Sequence, residues 1–397
     1  MDRPLLNRRL AEFGTTIFAE MSALAVRTGS INLGQGFPDA DGPEEVREAA
    51  VRALRDGRGN QYPPGPGIPE LRTAVAAHQQ RFYGKLGLSY DPDTEVLVTA
   101  GATEALAAAL LALLEPGDEV IALEPYYDSY AAGIALAGGR RVPVTLRADP
   151  ESGSYRLDLD ELRDAITGNT RLILLNTPHN PTGTVLTRDE LAEIARLACE
   201  RDLLVVTDEV YEHLVFEGEH LPLASFPGMR ERTVTIGSAG KTFSFTGWKV
   251  GWVTATAELV SAVRSAKQFL TYVSAGPFQY AVAEALALPD SYFTELRDDL
   301  RTKRDILATG LTDAGFQVFR PSGTYFITTD IRPLGAVLSE EGDGFAFCRA
   351  LPERAGVVAI PNAVFYDHKD QGAPYVRFAF CKSTDVLQEA ADRLKRL

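Results

Sequence analysis

Short apolar runs rich in β-branched residues recur along the chain, separated by stretches whose apolar positions return every three or four residues. Glu95 to Ala100, Glu119 to Leu123, Arg141 to Leu146, Arg171 to Asn176, Leu203 to Thr207 and Thr233 to Gly237 read as strands. Of the helix-like stretches between them, Ala105 to Leu114 is apolar on every side, which marks a buried helix. Another is announced by a capping box, Thr187 with Glu190, ahead of Leu191, Ile194, Ala195 and Leu197. This alternation predicts an α/β fold, a mainly parallel sheet sandwiched by helices. Upstream, Phe13, Ile17, Phe18, Met21 and Leu24 form the apolar stripe of a first helix, and Pro43 to Leu54 and Pro69 to Phe82 read as two more. Between those two, Gln61-Tyr62-Pro63-Pro64-Gly65-Pro66-Gly67 suits neither helix nor inner strand and reads as an ordered loop presenting Tyr62. From about Ser291 the pattern changes. A charged helix to Leu311, strands at Thr324 to Ile331, at Val357 to Ile360 and around Arg377, and a last helix predict a smaller α+β domain, joined by the N-terminal arm.

At 397 residues, 45% of them hydrophobic, the chain exceeds a single core. The expected division is a large domain over 37–288 and a small one from 1–36 and 289–397. Net charge is −14 and no Lys/Arg-rich run interrupts it, so neither nucleic acid nor an anionic membrane surface is an expected partner. Cys199, Cys348 and Cys381 are odd in number and far apart, which suits a reducing compartment. Cys199, on a helix-like segment, and Cys381, ending a strand-like one, are expected to be buried. With no signal-like N-terminal pattern and no apolar run of 18 residues, the expected location is cytoplasmic. Nothing suggests a metal.

In open α/β sheets chemistry collects in the loops beyond the carboxyl ends of strands. One such loop is Ser238-Ala239-Gly240-Lys241, where a desolvated lysine could serve as a nucleophile, held as a Schiff base by an aldehyde cofactor. If that cofactor is pyridoxal 5′-phosphate, other loops supply its needs. Asp208, closing an apolar run, would pair with the protonated pyridine nitrogen, although a helix N-cap fits this residue about as well. Tyr211 and Asn180 would reach the ring oxygen. The strand to Ala100, the turn Gly101-Ala102-Thr103 and the helix start behind it offer amides and a hydroxyl to a phosphate. Asn32-Leu33-Gly34-Gln35-Gly36-Phe37-Pro38-Asp39 marks a close backbone approach or a turn with positive φ.

Taken together, Asn180-Pro-x-Gly183, Asp208-x-x-Tyr211, Ser238-x-x-Lys241 with Lys249, and Arg377 in Tyr375-Val376-Arg377-Phe378 resemble the class I aminotransferases of fold type I, from about Phe18 to the C-terminus. Asn-Leu-Gly-Gln-Gly-Phe-Pro-Asp and Gly-Ser-Ala-Gly-Lys-Thr-Phe-Ser-Phe-Thr-Gly-Trp-Lys-Val-Gly-Trp are similar to the kynurenine and glutamine-phenylpyruvate aminotransferase group. Phe18 to Ala25 and Tyr62-Pro-Pro-Gly-Pro-Gly are most similar to actinobacterial N-succinyldiaminopimelate aminotransferases. The resemblance implies that Lys241 carries the cofactor and moves the α-proton, and that Asp208, Tyr211 and Asn180 hold the ring. It implies further that Ala102, Thr103, Ser238 and Lys249 bind the phosphate, that Tyr62 reaches it from a second subunit of a homodimer with shared active sites, and that Tyr127 stacks on the ring. Gly36, Asn180 and Arg377 would take the substrate α-carboxylate, Arg377 through its bidentate fork. Phe18, Tyr126, Tyr127, Tyr272 and Phe365 could make an aromatic substrate pocket. The expected reaction is ping-pong transamination between an L-amino acid, of methionine, glutamine or aromatic type, and a 2-oxo acid. The alternatives are an N-succinyl-LL-2,6-diaminopimelate:2-oxoglutarate aminotransferase and a cysteine-S-conjugate β-lyase.

Overall fold

The computed structural model describes residues 5–14, 16–335 and 342–397. Its strands, in chain order, are β1 (Ile31–Asn32), β2 (Val96–Thr99), β3 (Glu119–Glu124), β4 (Arg140–Asp149), β5 (Ser154–Leu157), β6 (Thr170–Asn176), β7 (Leu204–Asp208), β8 (Thr233–Ser238), β9 (Gly251–Thr254), β10 (Gln317–Phe319), β11 (Phe326–Asp330), β12 (Val357–Val358), β13 (Ile360–Pro361) and β14 (Tyr375–Ala379). The helices that matter for the site are α1 (Ile17–Thr28), α2 (Glu44–Arg55), α3 (Pro69–Tyr83), α4 (Gly101–Leu113), α5 (Asp128–Ala137), α6 (Leu159–Ala165), α7 (Arg188–Glu200) and α8 (Ala239–Thr242).

Eight strands form one sheet in the order β2-β9-β8-β7-β6-β3-β4-β5. The pairs β4-β3, β3-β6, β6-β7 and β7-β8 are parallel, as the alternating pattern requires. The period of two along these strands decides which helices cover which face. Val120, Ala122, Leu172, Leu174, Val206 and Val234 point to a core shared with α4 and α5. Ile121, Leu123, Ile173, Leu175 and Val205 point the other way, onto Leu191, Ile194 and Leu197 of α7. The α7 capping box is present as expected, with Thr187 and Glu190 bonding reciprocally.

Two strands of this sheet escaped the pattern, as did the short β1 and β10 outside it. β9 runs antiparallel to both neighbours and β5 antiparallel to β4, so both margins of the sheet are mixed. β9 is only four residues long and opens on Gly251, too little for a period to register. The Val357 to Ile360 strand is in fact two: β12 pairs with β1, and β13 pairs with β14. A second, antiparallel sheet, β10-β11-β14-β13, carries Arg377 in its β14 strand. Phe13 precedes α1 and packs against the α4–α5 core, so it is not part of the α1 stripe. Cys348 and Cys381 are buried, but Cys199 is half-exposed, contrary to expectation, because it stands on the rim of α7 beside Pro227 and Met229. Among the described residues no helix is long and apolar enough to cross a membrane.

Candidate active site

The parallel strands β6, β7 and β8 end side by side, with Asn176 level with Asp208 and Asp208 level with Ile236 in the ladder. Their carboxyl ends and the start of α4 border a cavity of about 470 Å³. Lys241 enters it from α8, a helix of a single turn that leaves the end of β8. Burial pushes its ammonium below the usual lysine range, and its Nζ lies 3.5 Å from the Gly36 carbonyl oxygen. The rings of Tyr211 and Tyr325 flank the same amine, each centroid 5.7 Å away.

Asp208 ends β7 with its carboxylate buried. The Tyr130 hydroxyl donates to Oδ2 at 2.7 Å and the Val210 amide to Oδ1 at 3.4 Å. Burial raises its pKa against those two bonds, so the acid is held where a cationic partner would be worth much. Asn176 builds the adjoining loop: its side-chain amide donates to the Asp208 carbonyl oxygen at 2.8 Å, and its Oδ1 accepts from the Asn180 amide at 2.7 Å. Asn180 is thereby fixed beside Arg377.

Arg377 is 1% exposed. Nη1 donates to Asn180 Oδ1 at 2.8 Å and Nη2 to the Gly34 carbonyl oxygen at 3.0 Å, while the ring of Phe326 lies 4.1 Å from the guanidinium carbon. Burial brings its pKa down to about 10, and its Nε is buried without a partner. Gly36 must be glycine here, since a Cβ would meet the Phe326 ring at 2.5 Å. The Gly36 carbonyl oxygen also accepts from the Tyr325 hydroxyl at 2.6 Å.

Lys249 comes from the other side. It is held in the left-handed region at φ 54°, which costs on the order of 1–3 kcal/mol for a residue with a side chain and persists because its surroundings impose it. Just before it, Trp248 is stacked between the rings of Phe245 and Phe278, at 3.8 and 4.7 Å between centroids. Its Nζ comes within 3.3 Å of where a Gly101 Cβ would stand, so it reaches the amide-bearing start of α4, where Ala102 and Thr103 also line the cavity. Gly251 completes the close approach: a Cβ there would sit 2.6 Å from the Gly101 backbone.

Of the residues expected to hold the cofactor and the α-carboxylate, Phe18, Gly36, Ala102, Thr103, Tyr127, Asn180, Asp208, Tyr211, Ser238, Lys241, Lys249 and Arg377 line this cavity and Tyr62 does not. Tyr62 is 82% exposed, its ring set edge-on to that of Tyr272. The aromatic pocket is smaller than expected. Phe365 lies beneath Arg377, Tyr126 is buried outside the cavity, and Tyr272 is on the surface, which leaves Phe18 and Tyr127 of the five, while Phe37, Phe245 and Phe326 join the lining. Tyr130, Asn176, Tyr325 and Asp128 were not anticipated. Tyr130 and Asp128 sit three and one residues beyond Tyr127, but their direction depends on how α5 leaves the sheet.

Three cations, Lys241, Lys249 and Arg377, therefore face one cavity, and the partners of Lys241 and Arg377 are neutral oxygens. A cavity of this kind fits a ligand with two anionic ends. A phosphate would meet Lys249 and the start of α4, and a carboxylate the Arg377 fork. The buried Asp208 suits a cationic ring nitrogen between them. These are the demands of pyridoxal 5′-phosphate with an amino acid.

Comparison with known proteins agrees. The family model described as aminotransferase class I and II matches residues 28–394. A probable N-succinyldiaminopimelate aminotransferase of Mycobacterium tuberculosis is 53% identical over 98% of both chains, and the methionine aminotransferase of Escherichia coli is 39% identical over the whole of both. The solved structure of the N-succinyldiaminopimelate aminotransferase from Mycobacterium tuberculosis superposes with a TM-score of 0.94 at 54% identity, covering 98% of this chain and 99% of the other.

Proposed function

We propose, from the premise that this chain belongs to the class I and II aminotransferases, that its amino donor carries a long uncharged side chain, as methionine, glutamine and aromatic amino acids do. The chain is a fold type I, pyridoxal 5′-phosphate-dependent aminotransferase that moves an amino group from an amino acid to a 2-oxo acid. When bound, the cofactor supplies an aldehyde and an electron-withdrawing ring. In this reading Lys241 Nζ holds it and carries the α-proton, a task for which an amine kept below its usual pKa by burial is suited. Asp208 retains the ring-nitrogen proton, Tyr211 and Asn180 hold the ring oxygen, and Tyr127 packs on its face. Ala102, Thr103, Ser238 and Lys249 take the phosphate, and Arg377 with Gly36 and Asn180 takes the α-carboxylate.

The observation that carries the donor class is the division of charge in the cavity. Once Lys249 serves the phosphate, Lys241 the aldehyde and Arg377 the α-carboxylate, the rest of the lining offers no further cation and includes Phe18, Phe37, Tyr127 and Phe326, with the carboxyl of Asp128. Where Asp128 is ionised, it would repel a second anion placed beside it. Lys382 packs on Phe37, but its Nζ is committed to the Phe37 carbonyl oxygen at 2.7 Å. The 53% identity to the mycobacterial relative favours a second reading, N-succinyldiaminopimelate as donor, whose distal carboxylates would need a cation from outside this cavity.

We further place the large domain at 37–288 and the small one at 1–36 and 289–397, in a cytoplasmic homodimer to which the partner subunit's Tyr62 contributes a phosphate contact. The exposure of Tyr62 and Phe269 supports the dimer.

Mixing holoenzyme with single donors and following the visible cofactor band tests the donor class. Methionine, glutamine or phenylalanine should bleach it and yield the matching 2-oxo acid. Bleaching by N-succinyldiaminopimelate alone would overturn the reading in favour of the second one. Pyruvate and ammonia released from a cysteine S-conjugate without a 2-oxo acid would point to the lyase.

A further inference from the structure

Away from the catalytic cavity, α3 and the turn that follows β7 bring two imidazoles and a carboxylate together in the apolar interior. His78 stands on the face of α3 that packs inward, beside Phe82. Glu212 and His213 are the two residues after Tyr211. His78 Nε2 lies 2.8 Å from His213 Nε2, and Glu212 Oε1 lies 3.9 Å from each of those nitrogens. The point equidistant from three atoms so spaced is about 2.1 Å from every one of them. That is the bond length zinc makes to imidazole nitrogen and carboxylate oxygen, about 2.0–2.2 Å, but the point lies in the plane of the donors, so a tetrahedral ion would stand out of that plane and spread the two imidazole nitrogens by about half an ångström.

We propose that His78, Glu212 and His213 form a zinc site that clips α3 to the turn carrying Asp208 and Tyr211. The donor set, two neutral nitrogens and one oxygen without sulfur, matches zinc bound by three protein ligands with one place left for water. Both imidazoles are neutral, since burial lowers the His78 pKa to about 4 and pushes that of His213 well down, and metal binding would move the one hydrogen they share at Nε2 to the other ring nitrogen. Burial also raises the Glu212 carboxyl to about 7, a cost that a cation would remove. Gln79 and Tyr83 hydrogen-bond the Glu212 carboxyl, the outer-shell support that fixes a ligand's orientation. The rings of Phe82 and Phe293 pack beside the site, each within 5.5 Å of both imidazoles. No other group of three metal-ligating side chains is this close together among the described residues.

The test uses untagged holoenzyme, incubated with zinc chloride and dialysed against metal-free buffer, then assayed for zinc by plasma mass spectrometry. About one zinc per chain should remain, and the thermal midpoint should rise by at least about 2 °C over chelator-treated protein. The double variant H78Q/H213Q should retain none and show no rise. Since that variant could fail to fold, zinc-edge anomalous scattering from zinc-soaked wild-type crystals gives an independent answer: a peak between the two Nε2 atoms and Glu212 supports the site. Absence of that peak, or of retained zinc in the wild-type protein, would overturn it and leave a metal-free imidazole pair sharing one hydrogen.

Discussion

At the scale of single residues, the site depends on side chains held away from their usual protonation or solvation by burial. Arg377 shows the effect most fully. Its two terminal nitrogens are committed to Asn180 and Gly34, three aromatic rings surround it, and among the described residues no carboxylate forms an ion pair with it, Asp128 acting on it only from a distance. A lysine would keep a charge there but could not serve Asn180, the Gly34 carbonyl oxygen and a substrate carboxylate in one plane. Arg377→Lys should raise KM for the amino donor by about tenfold or more, with a smaller change in kcat, since the α-carboxylate is bound in both ground and transition states. Steady-state kinetics against a fixed 2-oxo acid checks this, and an unchanged KM would remove Arg377 from donor binding.

At the scale of elements, the loop from Asn176 to Gly183 shows how a site is kept rigid. His179 is buried within it, its Nδ1 2.8 Å from Thr182 Oγ1, and the backbone at Leu123 and Pro125 hydrogen-bonds its ring. His179 thus ties the loop holding Asn180 to the end of β3. Burial lowers its pKa to about 4, below the ordinary value of 6.5. The unfolded chain therefore takes up the proton first, so this residue's contribution is whole above pH 6.5 and is lost as pH falls from 6.5 through 4. Over that window the loss should amount to about 3 kcal/mol. Urea denaturation at a series of pH values would show it, and His179→Gln should remove that part of the slope. A variant with the wild-type slope would rule His179 out as the source.

At the scale of the whole molecule, both sheets contribute to one cavity: β7 and β8 lead into Asp208 and Lys241, and β14 supplies Arg377. Outside the cavity, Tyr62 and Tyr272 pack edge to face on the surface, and Phe269 is 85% exposed. Large rings so exposed are costly unless covered. In the dimer proposed above, a second copy covers them. Sedimentation equilibrium should then give twice the 43.1 kDa of one chain, and Phe269→Asp should shift the protein toward the monomer and weaken cofactor retention. A fully active wild-type monomer would defeat this.

Much of this was open to a reader of the chain alone, for local reasons. The parallel core of the sheet and the capped α7 follow from periodicities and short motifs that span a few turns, where side-chain alternation and backbone donors are determined by neighbours in sequence, while the residues of the cavity came from such motifs together with the resemblance to the class I aminotransferases. β9 and β5 were missed because four residues are too few to carry a period and their pairing is set by strands far away. Tyr130, Asn176 and Tyr325 lay hidden for a related reason: what they bond is decided by how helices and strands from distant segments pack. The same holds for His78, 134 positions before Glu212 in the sequence yet beside it in the fold. Sequence determined which groups could do chemistry here. Only the tertiary structure decided which of them are dry, which meet, and at what distance, because burial and contact between remote segments are properties of packing.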